Sequence, residues 1–205
     1  MKTGKYCDIA DDLICGKDFK CSSFTRIAKN VVIGDNVTIE SFVVVRSGVK
    51  IGDNVILEDH TVVDSDSTIG SGTKIGTYTI VGKNVVIGDN CRFTAFCEIR
   101  NNSKLGNNVS MGSRGTLSAN TIVEDDVIMK YAFVVTDVPV VGQEDAKRVG
   151  TLKKRSRFGA NVTIMPGVCV GENAEIGACS QVRHDVPNDE TWYGNPAKFF
   201  KKREL

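Results

Sequence analysis

Residues 31–60 read VVIGDNVTIESFVVVRSGVKIGDNVILEDH. The phrase IGDNV opens at Ile33 and again at Ile51, and between these points every sixth residue is apolar: Ile33, Ile39, Val45, Ile51 and Leu57. Extended both ways, the series runs unbroken through 22 apolar residues from Ile9 to Val135. At 41% hydrophobic content, chance would give such a run with a probability on the order of 10⁻⁹ to 10⁻⁸. The series resumes at Phe158 and continues through Ile164, Val170, Ile176 and Val182, which brings the count to 27 hexapeptides.

The other columns of the repeat describe the backbone. Glycine often follows the apolar residue, as at Gly34, Gly52, Gly70, Gly88 and Gly106, and the fourth place is small or β-branched. Two inward side chains per six residues imply very short strands. The third place after the apolar residue is Asn, Asp or Gly in 14 of the first 22 repeats, residue types that tolerate left-handed turn conformations. The exceptions Phe24, Phe42, His60, Tyr78, Phe96, Arg114 and Ala132 are themselves spaced by 18. One coil therefore contains three hexapeptides, and the chain winds as a three-sided prism whose sides stack into parallel sheets. Nine coils at ~4.8 Å give a prism ~43 Å long. The ladder Phe24, Phe42, His60, Tyr78 and Phe96 is expected to run up one edge and to be covered in part by a second copy of the chain. Three equal faces favour a closed cyclic trimer.

Composition fits one domain. The 205 residues carry 26 Lys plus Arg against 25 Asp plus Glu, a balance that argues against a nucleic-acid coat or a charge-bound membrane protein. No stretch approaches the ~20 apolar residues of a membrane span, and the first residues have no apolar signal-peptide region, so a cytoplasmic location is expected. Seven scattered cysteines contain no C-x-x-C pair, which disfavours a disulfide framework or a zinc site. With only His60 and His184, one chain cannot assemble three His ligands, and no metal is expected.

The I-G-D-N-V repeats, the segment F-G-A-N-V-T-I-M-P-G-V from Phe158 and the terminal G-N-P-A-K from Gly194 together resemble the hexapeptide-repeat acyltransferases, with the greatest likeness to those of nucleotide-sugar and polysaccharide biosynthesis. The resemblance implies an all-β, left-handed parallel β-helix of about nine triangular coils, against the usual right-handed crossover rule. A loop excursion at 138–157 would interrupt the helix domain 1–187, and a C-terminal tail would occupy 188–205. It also implies a homotrimer with acyl-CoA sites between adjacent prisms, acetyl-CoA as donor, and a sugar amine or hydroxyl as acceptor. A helix that has lost its chemistry and serves as a scaffold is the alternative. The carbonic anhydrase branch of the fold would need three histidines from two subunits.

Residue by residue, the resemblance matches Ala160 and Ala178 to positions whose backbone amides hold the pantetheine arm, because a small side chain lets that arm approach. Arg183, Lys198 and Lys201 match positions near the nucleotide and its phosphates. A basic interruption, with Lys147, Arg148, Lys153, Lys154, Arg155 and Arg157, adds further cations. Acyl transfer needs a proton acceptor and a stabilised oxyanion. Asp137, in a Thr136–Asp137 remnant of the family's T-N-D, is a candidate base. Ser113 lies in the segment Met111–Arg114 that aligns with the family's I-Q-x-N, and it stands where a side-chain amide is expected. His60 follows Asp59, as an oriented base can, but its coil lies five coils, ~24 Å, from the loop. His184 reads as surface structure.

Overall fold

The computed structural model describes residues 2–139 and 148–203. These form a three-sided parallel β-helix with no α-helix among the described residues, the all-β class expected from the repeat. Twenty-nine two-residue strands wind from Lys2–Thr3 to Gln181–Val182. Successive strands fall on the first, second and third face in turn, as Lys2–Thr3, Asp8–Ile9 and Ile14–Cys15 do.

Pairing is parallel, and each strand lies directly over the strand one coil earlier. Val44, Val62 and Ile80 sit one above another on the second face, as Thr38, Ile56 and Lys74 do on the first. Strand amides donate to carbonyls of the next coil, as from Val44 N to Thr61 O at 2.9 Å. The apolar series points inward and is almost fully buried from Cys21 to Val182, and the second inward place holds Val31, Val37, Val55 and Thr61. The buried hydroxyls find carbonyls across the seam, such as Ser67 Oγ to Gly82 O at 2.7 Å.

Three corners join the faces, and nearly every corner carries one residue with φ close to +60°. The Asn and Asp residues sit there as expected. The exceptions sit there too: Phe24 (φ 61), Phe42 (61), His60 (59), Tyr78 (57) and Phe96 (61) occupy the first corner, between the first and second faces. Their rings stack face to face, at centroid distances of 4.9, 4.8, 4.5 and 5.1 Å, and Tyr6 extends the column below Phe24 at 5.2 Å. A left-handed conformation costs a bulky residue roughly 1–2 kcal/mol. Each stacked pair contributes about 0.5–1.5 kcal/mol, which offsets part of that strain.

The helix is longer than the sequence implied. Lys2–Thr3 adds a strand before Ile9, and Thr151–Leu152 adds one before Phe158, so there are about ten coils. Thr151–Leu152 pairs with Ile122–Val123, which itself pairs with Lys104–Leu105. The chain takes a longer path between the upper pair than between the lower one, and the surplus is the insertion that forms the excursion. The excursion at 138–157 is thus shorter than expected and leaves from the second corner; residues 140–147, including Lys147, lie outside the described residues. The cations after Leu152 had suggested a loop, but they occupy outward places of a regular coil. Arg155 is the turn residue (φ 59), and it reaches Glu172 at 2.5 Å and Asn173 Oδ1 at 2.7 Å. The tail is also structured: Glu190–Gly194 continues the first face beside Glu175–Ile176 and folds back as an antiparallel hairpin with Ala197–Lys202. Trp192 packs against the core and anchors it.

Phe158 is buried against Phe133 at a ring distance of 4.8 Å. Phe158→Ala should lower stability in urea by about 3–5 kcal/mol, whereas exposed Asn54→Ala, a left-handed corner on the surface (φ 57) that also accepts from Asn36 Nδ2 at 3.3 Å, should cost about 1–2 kcal/mol.

Candidate functional site

The first corner changes character up the prism. Its leading positions are Ser23, Ser41, Asp59, Thr77, Ala95, Ser113, Tyr131, Ala160 and Ala178. Elsewhere, a leading corner amide is commonly capped by a side-chain oxygen of the neighbouring coil. Asp35 N donates to Asp53 Oδ1 at 2.7 Å, Ser41 N to Asp59 Oδ1 at 2.9 Å, and Asp89 N to Asn107 Oδ1 at 2.8 Å. From Ala95 to Ala178, the residue one coil above brings no such oxygen into place. Among the described residues, the amides of Ala95, Ser113, Tyr131, Ala160 and Ala178 have no hydrogen-bond partner. An unpaired N–H at a surface seam is a ready donor for a ligand carbonyl.

Ala160 and Ala178 are therefore neighbours in this row, with Cys179 N bonded to Ala160 O at 2.8 Å. The approach is tight: a Cβ on Gly159 would lie 2.5 Å from Ala178 N. A groove of 340 Å³ runs beside them, lined by Lys130, Arg157, Gly159, Gly177 and Ala178. The row as a whole was not read from the sequence, although its signal was there: Tyr131, Ala160 and Ala178 stand where an Asp, Asn or Ser would cap the coil below.

Ser113 lies in the same row, half-buried, with its hydroxyl 2.9 Å from that of Thr94. Arg114 beside it holds its guanidinium 5.8 Å from the Tyr131 ring centre. Asp137 is elsewhere, at the second corner where the excursion begins. It is half-buried and lines a groove of 310 Å³ with Asp64, Glu98, Arg100 and Asn101. Its main-chain carbonyl accepts from Arg148 N at 2.9 Å, which closes the base of the loop. In one chain, then, the amide row and Asp137 stand at opposite edges of the second face, with Asp137 about one coil below Ala160.

His60 is placed inside the ring column, between Phe42 and Tyr78. Its neighbour Asp59 caps the Ser41 amide. The His60 corner is four coils below Ala132, ~19 Å, a shorter gap than the one read from the sequence. Beside it, Glu58 is held below the usual carboxylate range, first by the Lys74 ammonium at 2.6 Å and then by Thr77. Arg183 is exposed and bonds Gln181 Oε1 at 2.7 Å, and His184 follows it at the surface. Lys198 and Lys201 are exposed on the hairpin, opposite Tyr193 and Thr191. No helix among the described residues is long and apolar enough to cross a membrane.

Comparison with known proteins places the repeat. A family model described as bacterial transferase hexapeptide (six repeats) matches residues 25–65 and 66–101, and one for the hexapeptide repeat of succinyl-transferase matches 154–179. A probable macrolide acetyltransferase of Lysinibacillus sphaericus is 56% identical over 46 residues, 22% of this chain and 26% of that protein. The mitochondrial gamma carbonic anhydrase 2 of Arabidopsis thaliana is 30% identical over 100 residues, 46% of this chain and 36% of that one. This chain thus spans only about a quarter to a third of the length of these two curated relatives. Among solved structures, an Arabidopsis UDP-N-acetylglucosamine acyltransferase superposes with a TM-score of 0.79 at 16% identity, covering 97% of this chain and 73% of that one; at that identity the likeness is one of fold.

Because Glu58 is depressed by its ion pair in the folded state, the stability it adds is complete above its unfolded pKa of about 4.3 and is lost as pH falls through its lower folded value. Lys74→Met should therefore raise the Glu58 carboxyl titration, followed by carbon NMR, and shrink the part of the acid loss of stability that Glu58 contributes.

Proposed function

We propose that this chain, which belongs to the hexapeptide-repeat acyltransferases, transfers an acyl group, acetyl in the simplest case, from coenzyme A to an amine or hydroxyl of a sugar carried on a nucleotide. The observation that carries the reading is the row of unpartnered amides from Ala95 to Ala178 on one corner. A pantetheine arm has two amide carbonyls and is thin enough to lie against such a row where the side chains are Ala and Gly. Lys198 and Lys201 on the hairpin would hold the nucleotide and its phosphates at the upper end, and Arg183, at the second-corner edge, would reach them from the neighbouring prism. The thioester would then lie lower, near Tyr131 and Ser113.

The acceptor attacks the thioester carbonyl, the new C–N or C–O bond forms, and the C–S bond breaks to release coenzyme A as its thiol. Asp137 is assigned to take the acceptor's proton and pass it to the departing thiolate, and Ser113, oriented by Thr94, a hydrogen bond to the reacting group. His60 is assigned to the ring column.

One prism keeps Asp137 and the amide row on opposite edges of the second face, so we assign the assembly as a trimer with the second faces turned toward the threefold axis. The first corner of one prism then meets the second corner of the next. Parallel axes would set Asp137 about one coil, ~5 Å, from the level of Ala160. Val44, Val62, Ile80 and Val134 point outward from that face, and Ile80 is 48% exposed in the single chain. Their burial would favour closure.

Calorimetry with acetyl-CoA tests the donor site: Lys198→Glu should weaken binding roughly tenfold, and a chain that binds no acetyl-CoA would be a scaffold. Asp137→Asn should lower kcat in thiol-release assays against nucleotide amino sugars by about 10²–10⁴ while the acetyl-CoA Kd stays unchanged. Ile80→Asp should convert the trimer to monomers by light scattering and abolish activity.

A further inference from the structure

The N-terminal end of the prism holds a pair of thiols that takes no part in the proposed chemistry. The Sγ atoms of Cys7 and Cys21 are 4.0 Å apart, across the seam between the first and second coils. The Cys7 thiol donates to Ser22 O at 3.2 Å and also lies 3.5 Å from Gly4 O and 3.9 Å from Lys5 O. Cys7 is half-buried and Cys21 is 4% exposed. The remaining cysteines near the end, or along the core, do not form such a contact: Cys91 and Cys97 bond main-chain carbonyls instead.

The surroundings explain why a link would matter. At the C-terminal end the hairpin covers the last coil. Among the described residues nothing covers the first coil: Lys2–Thr3 pairs only with Lys20–Cys21, and Thr3, at an inward place of the repeat, is exposed. Cys7, Ile9, Leu13 and Cys15 are only partly buried. In a stacked repeat the terminal unit has half the neighbours of an inner one and opens first.

We propose that Cys7 and Cys21 are a redox-active pair that forms a reversible disulfide and clamps the first coil to the second. Closing the bond brings the sulfurs together by about 2 Å. Its oxidant is a small disulfide such as glutathione disulfide. The Cys7 thiolate, the more accessible of the two, attacks one sulfur of the oxidant. That forms a Cys7–glutathione disulfide and expels glutathione thiolate, which takes up a proton. Cys21 then gives its proton to water and attacks Cys7 Sγ, expelling the second glutathione. Two cysteine thiols and one glutathione disulfide become one protein disulfide and two glutathione thiols. Burial pushes the Cys21 thiol up to about 12, so the second step is the slow one, and it accelerates as pH rises because only the thiolate attacks.

The experiment equilibrates the whole chain with glutathione disulfide and maps its tryptic peptides without reduction. The expected product joins peptide 6–17 to peptide 21–26, with two thiols lost. Because 6–17 also contains Cys15, the Cys15→Ser chain must give the same link, whereas Cys7→Ser and Cys21→Ser must each abolish it; circular dichroism shows whether each variant is folded. Hydrogen exchange at the Gly4 amide, which donates to Cys21 O at 2.7 Å, should slow roughly tenfold or more in the oxidised chain. The proposal is overturned if the unsubstituted folded chain stops at a Cys7–glutathione adduct, keeps both thiols, or links through Cys15.

Discussion

Everything in this molecule depends on the amide-to-carbonyl ladder that runs along the prism. Each coil bonds the next in one constant register, so any side chain is superposed on its counterparts in the coils before and after it. A choice made at one position is then repeated or broken in a column, and a column has properties that no single residue has. Six rings at one corner become a continuous stack. Five leading positions without a capping oxygen become a line of donors on the same corner.

The ladder also fixes what a corner must do. A coil of three two-residue strands has no room for ordinary turns, and a left-handed residue recurs at nearly every corner. Asn, Asp and Gly meet this demand at low cost. The aromatic residues meet it at a strain that only stacking offsets, which accounts for their occurrence as an unbroken run rather than singly. The run stops at Phe96, and from there the corner carries Arg114, Ala132, Asn161 and Cys179. Alanine gains nothing from a stack, so Ala132 (φ 54) bears the conformational strain with no ring contact to offset it; a bare, narrow corner beside the Tyr131 and Ala160 amides is the compensation we assign to it.

This is also why the fold was so readable from sequence and the site was not. The inward series from Ile9 to Val135 and the spacing of Phe24, Phe42, His60, Tyr78 and Phe96 state the coil length directly, because burial and stacking act on residue type. The strand at Thr151–Leu152 escaped because the insertion before it is not a whole number of hexapeptides, so the register shifts. Lys153, Lys154 and Arg155 also look like a loop until Asp125 and Glu172 are seen beside them. Charge at an outward place says little about local structure. Ala160 and Ala178 could be proposed only through resemblance; their distinguishing property is a missing partner, and a missing hydrogen bond is visible only when the coil above is in place.

The same logic separates what the prism holds rigidly from what it leaves adjustable. The amide row is main chain, fixed by ladder bonds of 2.8–3.1 Å on either side of each corner, and at Ala160 and Ala178 the side chains are small enough to leave it open. In the function we propose, a site of this kind would suit the invariant part of the reaction, the donor, since every acyl-CoA presents the same arm. Asp137 sits instead where the insertion leaves the ladder, at a corner whose length is not dictated by the repeat. Changes there alter the reach and polarity of the second corner without disturbing a single inward residue. In the trimer we propose, a rigid row meeting an inserted loop across a subunit boundary would let acceptor preference change while donor binding and fold are retained.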